Sequence, residues 1–194
     1  MSFFKKLFGK TSSKEQEAIK QEVHLSLDDA FVHNFIKKGG KFLYCVSEDE
    51  IISNLRHIID ENKWEKITCT NDAIKKYLKD STTEVVSDFG GIYPFFTTCE
   101  HLISDNGDIL FSSNQLSTHK IASLTDNFIV FATTSQLVKN TGEGLTGIKT
   151  NCKDHIPTNI SAVKNYSFNT EADNFLNYGN SNSKNLYLLL LEDL

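Results

Sequence analysis

The stretch that decides the fold is CEHLISDNGDILFSS, residues 99–113. Two apolar runs with alternating polarity flank Asp-Asn-Gly at positions 105–107, and this is the strongest short-range signal of a β-hairpin. The same stretch begins with Cys-Glu-His at positions 99–101, residue types that bind metals or act in catalysis. The sequence thus places a predicted hairpin directly after three residues that are candidates for metal binding or catalysis.

The chain before this hairpin alternates helices with short apolar strands. Ser26 begins a helix that Gly39-Gly40 ends, because serine caps helix N-termini and glycine adopts the left-handed conformation of a helix end. The other elements predicted here are helices from Ser47 and over residues 72–80, with strands at residues 41–46, 66–70 and 82–87. Such alternation predicts a parallel sheet with helical crossovers.

The chain after the hairpin continues the same pattern. The predicted elements are a strand at 127–133, a helix over 135–149, a strand at 160–166, a helix over 170–178 closed by Gly179, and a final strand in 185–194. The predicted fold class is therefore α/β, a mostly parallel central sheet flanked by helices with an antiparallel β-hairpin insertion.

Composition limits the classes of function. The 194 residues carry a net charge of −5 with no basic stripe, which argues against nucleic-acid binding. No apolar run reaches the ~20 residues of a membrane span. Four widely spaced cysteines, Cys45, Cys69, Cys99 and Cys152, favour reduced thiols in a cytoplasmic protein over a disulfide scaffold.

The N-terminal sequence MSFFKKLFGKTSS differs from the rest. We expect residues 1–25 to form a basic and apolar segment with a tether, and residues 26–194 to form a single domain. The segment lacks a long apolar core and a cleavage site, so it is not a secretory signal. On a helix, Phe4, Leu7 and Phe8 would share one face. A partner-docking segment, a frayed terminus and a membrane-surface contact all stay open.

Three stretches in the right order resemble the LUD family, the lactate-utilisation domains of bacterial organic-acid operons. They are the helix, double glycine and strand of residues 31–45, the hairpin of residues 99–113, and TEAD (170–173) followed by the final strand. The resemblance implies a NagB/RpiA/CoA-transferase-like fold. It also implies an accessory subunit in organic-acid (lactate) utilisation, with lactate-oxidation subunits as partners.

The chain departs from that family in three places. The G-P-S-x-T run of the family is replaced by residues 166–170, its H-G-P turn by residues 180–182, and its Leu-Pro by Leu124-Thr125. The chain also contains no C-x-x-C pair, so it lacks the iron–sulfur module joined to some relatives. We expect no cofactor.

Two sites built on Cys99 are disfavoured by spacing. A zinc site would combine Cys99 and His101 with Cys152 and His155, but C-x-H along an extended strand spreads its ligands awkwardly. As a catalytic dyad, Cys99 and His101 would lie roughly 6–7 Å apart on one strand face, too far for a hydrogen bond. We therefore expect buried core cysteines and no metal.

GEGLTG at residues 142–147 matches the dinucleotide-binding pattern G-x-G-x-x-G. It does not follow a strand, as that fingerprint requires, and Glu143 would repel a pyrophosphate. We interpret its glycines as weakened helix turns or a kink.

An anionic-ligand pocket is the favoured site, because ligands of open α/β sheets gather at the carboxyl ends of strands. The candidate ligand-binding residues lie in three loops and are Asp88, Gly90, Gly91, Thr170, Asp173 and Asn180. Thr170 with Asp173 is also readable as a plain capping box. Glu100 is the single catalytic candidate, since the parent fold of the resemblance supplies an acidic residue near its site; the alternative is a solvated strand position.

Three functions stay open at this point. The first is a LUD-type accessory subunit that binds a small anionic metabolite, with its catalytic status undecided. The second is a non-catalytic interaction or scaffold protein with a degenerate ligand site. The third is a hydrolase or isomerase of the parent fold acting on a phosphorylated sugar or thioester, which rests on fold analogy alone.

Overall fold

The computed structural model describes residues 25–79, 81–90, 92–151, 156–167 and 182–193. The helices in this part are α1 Leu27–Lys37, α2 Glu48–Asn62, α3 Ser113–Leu116 and α4 Thr141–Asn151. The strands are β1 Lys41–Cys45, β2 Lys66–Thr68, β3 Glu84–Val86, β4 Phe95–Thr98, β5 His101–Ile103, β6 Asp108–Phe111, β7 Asn127–Thr133, β8 Leu137–Val138, β9 Ser161–Val163 and β10 Asn185–Leu191.

A six-stranded sheet forms the centre, in the order β1-β10-β7-β4-β2-β3, and its strand pairs are parallel. Side chains of β10 alternate between its two faces. Leu188 packs with Phe31 and Phe35 of α1, whereas Leu189 packs with Leu55 of α2. Helices thus bury apolar cores on both faces, and the predicted α/β class with its mostly parallel sheet is confirmed.

The first predicted helix is confirmed in its ends as well as its position. The Ser26 hydroxyl accepts a hydrogen bond from the backbone N–H of Asp29 at 3.4 Å. Gly39, just past the helix, has φ +89°, the left-handed conformation that a helix end requires.

The predicted hairpin is confirmed, and it lies in a second sheet of order β8-β5-β6-β9. Strands β5 and β6 pair antiparallel, with His101 opposite Leu110 and residues 104–107 as the turn. Gly107 has φ +71°, and a Cβ atom there would lie 2.5 Å from the backbone nitrogen of Phe35. Glycine at this position therefore lets the hairpin turn pack directly on α1.

One prediction about this hairpin is wrong. The run from Thr97 to Ser104 is not one continuous strand. Strand β4 ends at Thr98 within the central sheet, and β5 begins at His101 within the second sheet. The two residues between them change the chain from one sheet to the other, so the period-two argument does not apply to Cys99 and His101.

Two predicted helices also differ from the structure. Residues 72–80 form only a 3-10 turn, Lys75–Leu78, and the three-residue spacing of Ile74 and Tyr77 directs both side chains into the core. Residues 135–149 do not form one helix, because β8 pairs Val138 with Ile103 before α4 begins. The predicted helix over 170–178 lies outside the described residues, as does the segment 1–24.

Candidate functional site

Polar residues follow three neighbouring strands at the carboxyl edge of the central sheet. Thr98, the last residue of β4, is paired with Phe131 of β7, and Thr133 of β7 is paired with Leu191 of β10. Because these strands are parallel, the segments that follow them meet at one edge. That edge is where α/β sheets bind ligands.

Glu100 is held at this edge by three side chains. Its Oε1 atom accepts hydrogen bonds from the Ser112 hydroxyl, from Asn114 Nδ2 at 2.9 Å and from Gln115 Nε2 at 3.1 Å. Glu100 is half-buried. All three of these bonds, from donors in the described part of the chain, go to Oε1 and none goes to Oε2.

Two capping boxes hold the backbone around Glu100. In the first, Gln115 Oε1 accepts from Ser112 N at 2.8 Å. In the second, Gln136 Oε1 accepts from Thr133 N at 2.8 Å, while Gln136 Nε2 donates to the Cys99 carbonyl at 2.6 Å and to that of Glu100 at 3.2 Å. Gln136 therefore ties the end of β7 to the break between β4 and β5.

The residues of these two capping boxes were not predicted as part of the site, although their spacing in the sequence indicates where they lie. Both boxes follow the spacing Ser/Thr-x-x-Gln, Ser112 to Gln115 and Thr133 to Gln136, which is the pattern of a helix start. Because each box comes directly after a predicted strand, the pattern marks both as segments at a strand end.

Asp193 extends the polar edge past β10. Its carboxylate accepts from the Ser135 hydroxyl at 2.6 Å, the Thr134 hydroxyl at 2.6 Å and the Ser135 backbone N–H at 2.9 Å. Hydrogen bonds from Ser135 and then Thr134 hold the pKa of Asp193 well below its usual range. We call Glu100, Ser112, Asn114, Gln115, Gln136, Ser135 and Asp193 the carboxyl-end network.

Cys99 and His101 have separate environments. Burial, followed by the charge of Glu100, raises the pKa of the Cys99 thiol far above its usual range, so this thiol is protonated at neutral pH. His101 donates from Nδ1 to the Gln136 carbonyl at 3.2 Å. Cys99 Sγ accepts from Gln136 Nε2 at 3.8 Å, so the two side chains contact different atoms of Gln136.

Of the other predicted site residues, the structure describes only Asp88 and Gly90. Asp88 and Gly90 lie in the loop after β3, where the Gly90 N–H donates to Asp88 Oδ1 at 3.0 Å, so they form a local turn. Outside the described residues lie Gly91, Thr170, Asp173 and Asn180, and also Cys152 and His155 of the disfavoured zinc site. In the described ranges, no group of three or more His, Cys, Asp or Glu residues has the geometry of a metal site.

Burial is confirmed for the three cysteines that the structure describes. Cys45, Cys69 and Cys99 are free thiols in the core. The same ranges contain no helix with the length and apolar character needed to cross a bilayer.

Two open grooves lie at the opposite, amino edge of the sheet. Each has a volume of about 300 Å³, and they share Lys63, Trp64 and Glu65 as lining residues. These residues precede β2, so the grooves lie at the other end of the strands from Glu100.

The fold and the hairpin agree with a comparison against protein families. The family model described as LUD domain matches residues 27–191. The chain belongs to the LUD domain family. The matched range contains both sheets and the residues of the carboxyl-end network other than Asp193.

A solved structure shares the fold of this LUD domain. It is the crystal structure of a DUF162 family protein from Deinococcus radiodurans, 13% identical, with a TM-score of 0.61 over 86% of this chain and 99% of that chain. At this identity the likeness shows the fold alone. A search of curated proteins gave no significant match.

Proposed function

We propose that this LUD domain binds a small 2-hydroxy acid, lactate or a chemical relative, as an accessory subunit of organic-acid utilisation. The observation that carries the proposal is the Glu100 carboxylate, whose Oε1 accepts three hydrogen bonds while Oε2 is left to a ligand. The membership in a family of lactate-utilisation domains supports the choice of ligand class.

The geometry favours a ligand that donates a hydrogen bond. A carboxylate is an acceptor only, and the charge-assisted bonds it forms are about twice as strong as neutral ones. The hydroxyl of a 2-hydroxy acid supplies such a donor to Oε2. Since Ser112, Asn114 and Gln115 already fix the other oxygen, Glu100 meets the ligand without losing side-chain freedom.

The remaining parts of the proposal concern the whole chain. Residues 26–194 act as one domain in the cytoplasm, and the lactate-oxidation subunits are the protein partners. The loops that carry Asp88, Gly90, Gly91, Thr170, Asp173 and Asn180 contribute the rest of the ligand site, and Asp88 and Gly90 follow β3 at the same edge of the sheet as Glu100. Catalytic turnover is not part of the proposal.

The test is binding measured by calorimetry and by the thermal midpoint, with lactate and with propionate, which lacks the hydroxyl. We expect lactate to bind more tightly than propionate by tenfold or more, about 1.5–3 kcal/mol for a hydrogen bond to a charged group. Glu100→Gln should weaken lactate binding by a similar factor, because it replaces the acceptor at Oε2 with an amide donor. Asp105→Asn, at an exposed carboxylate of the hairpin turn, is the matched control and should bind normally.

A second candidate function is a non-catalytic interaction module. One observation favours it, namely that the Ser112 hydroxyl and the amides of Asn114 and Gln115 already donate to the Glu100 carboxylate from within the chain. If neither lactate, a phosphorylated sugar nor a CoA thioester raises the thermal midpoint, this candidate replaces the first.

A further inference from the structure

An apolar patch lies at the corner where α1 begins and β1 ends. Its members are exposed large hydrophobic side chains, Leu25 at 50%, Leu27 at 46%, Tyr44 at 46% and Val46 at 60% exposure. Large apolar side chains that are exposed next to one another indicate an interaction surface. We call these four residues the corner patch.

The ring of Tyr44 connects the parts of the patch. Alternation along β1 puts Tyr44 and Val46 on the face of Phe42, which packs against the α1 core. The pKa of Tyr44 is raised by burial, by a hydrogen bond with Glu192 and by the charge of Asp28. Tyr44 therefore lies between the first turn of α1 and the end of β10.

The edge of the sheet beside the patch is open. Within the described residues β1 is an edge strand, paired only with β10. The Glu192 N–H donates to the Cys45 carbonyl, so Cys45 faces β10 and the backbone of Tyr44 faces outward. An open edge with apolar side chains is a surface that folded proteins normally cover.

Acidic residues surround the corner patch. Asp28 and Asp29 lie in the first turn of α1, Asp49 lies in the first turn of α2, and Glu192 follows β10. Glu48, also in the first turn of α2, is paired with Lys76 at 2.6 Å and does not add to this charge. The partner that fits this surface therefore combines bulky apolar side chains with positive charge.

We propose that residues 3–10 of this chain, FFKKLFGK, cover the corner patch. This segment carries Phe3, Phe4, Leu7 and Phe8 between lysines, which matches the apolar patch and its acidic rim. The proposal goes beyond the binding of a metabolite and does not depend on it.

Chain connectivity supports the same occupant. Leu25 belongs to the patch and follows residues 1–24 directly, so the segment is held close to its binding surface. A tether of residues 11–24 has a root-mean-square reach of about 20 Å if flexible, enough to bring the segment back to the corner. A second copy fits less well, because two acidic rims would repel each other across the edge.

The experiment places a photocrosslinking amino acid at Val46 in the full chain. We expect cross-links to residues 3–10 within one molecule, at a yield independent of protein concentration. The same amino acid at Ile36, 53% exposed at the opposite end of α1, should cross-link at a much lower yield, because it lies outside the corner patch although within reach of the tether. Peptide mapping of the cross-linked product by mass spectrometry identifies the partner.

Matched variants of the segment and the tether test the apolar contact. The triple variant Phe4→Ala, Leu7→Ala and Phe8→Ala should lower the cross-link yield about tenfold or more, because it removes the apolar side chains that contact the corner patch. The variant Thr11→Ala, Ser12→Ala and Ser13→Ala should leave the yield unchanged. Circular dichroism checks that each variant folds.

Three outcomes would overturn the proposal. One is a cross-link between two molecules that grows with protein concentration, which would identify a second copy as the occupant. Another is cross-linking of Val46 to lipid in anionic vesicles together with sedimentation of the protein. The third is a yield at Val46 that the apolar triple variant does not change.

Discussion

The imidazole of His101 packs directly against the backbone of Gly147 in α4. A Cβ atom on Gly147 would lie 2.7 Å from His101 Nε2, and one on Gly144 would lie 2.9 Å from Leu110 Cδ1. The glycines of GEGLTG therefore allow α4 to approach the second sheet closely. Their presence has a packing cause, which adds to the interpretation of these glycines as weakened helix turns or a kink.

Gly147→Ala should destabilise the protein and disturb the candidate site. The added methyl group forces the His101 ring away from the Gln136 carbonyl, and overpacking of this kind costs about 1–3 kcal/mol. Urea unfolding measures this loss. Gly142→Ala is the control, since Gly142 is exposed in the first turn of the same helix and its added Cβ atom meets only Asn140 Oδ1, at 3.2 Å, so stability should change by less than about 1 kcal/mol. Equal effects of the two substitutions would show that helix propensity alone determines the result.

The sequence predicted the central sheet well because its evidence is local. The apolar runs that became β1, β7 and β10, and the caps at Ser26 and Gly39, are each determined by neighbours in the chain. Strand β8 was not predicted, because it forms by pairing of Val138 with Ile103 and the residues next to Val138 in the chain do not indicate this contact. Two-residue strands depend on tertiary contacts in this way.

Of the residues in the carboxyl-end network, only Glu100 was named as a candidate from the sequence. The period-two argument treated Cys99 to His101 as a regular strand, whereas Gln136, distant in sequence, binds the carbonyls of Cys99 and Glu100 where the strand breaks. The three donors on Glu100 come from a single segment, 112–115, that the hairpin brings back. A hydrogen-bond network across three strand ends is a property of the fold that chain spacing does not show.

Ser117→Gly should stabilise the protein. Ser117 has φ 52° and ψ −124°, and the His119 N–H donates to the Leu116 carbonyl at 3.0 Å, which is a type II′ turn that favours glycine at this position. Relief of the strain, less the added freedom of the unfolded chain, gives about 0.5–1 kcal/mol. Thermal unfolding measures the gain. Ser117→Ala keeps the strained backbone and should give none; a gain with alanine would assign the effect to the hydroxyl instead.

Two buried serines should respond in opposite directions to alanine. Ser104 is 1% exposed and its Oγ has no hydrogen-bond partner in the described residues, so Ser104→Ala should leave stability unchanged or raise it by about 1 kcal/mol. The Ser112 hydroxyl donates to Glu100 and accepts from the Asn114 N–H, so Ser112→Ala should cost about 1–3 kcal/mol. Denaturant unfolding compares them. A large loss for Ser104→Ala would reveal a partner for its hydroxyl.

Stability should fall at alkaline pH in part because of Cys69. Burial raises the pKa of this thiol to about 11 in the folded protein, against about 8.5 in an unfolded chain. Above the unfolded pKa, the unfolded chain binds fewer protons than the folded one, so the free energy of unfolding declines as pH rises toward the folded pKa. The decline from Cys69 should reach about 1–2 kcal/mol by roughly pH 10.

Cys69→Ala separates this titration from packing. At pH 7 the difference in the free energy of unfolding between the variant and the unmodified protein gives the packing cost of the lost sulfur. That difference should shrink by about 1–2 kcal/mol as the pH is raised to roughly 10, because only the unmodified protein carries the titrating thiol. Urea unfolding at each pH supplies both values. A difference that stays constant with pH would mean that the Cys69 thiol ionises at the same pH in both states, contrary to its complete burial against Asn71.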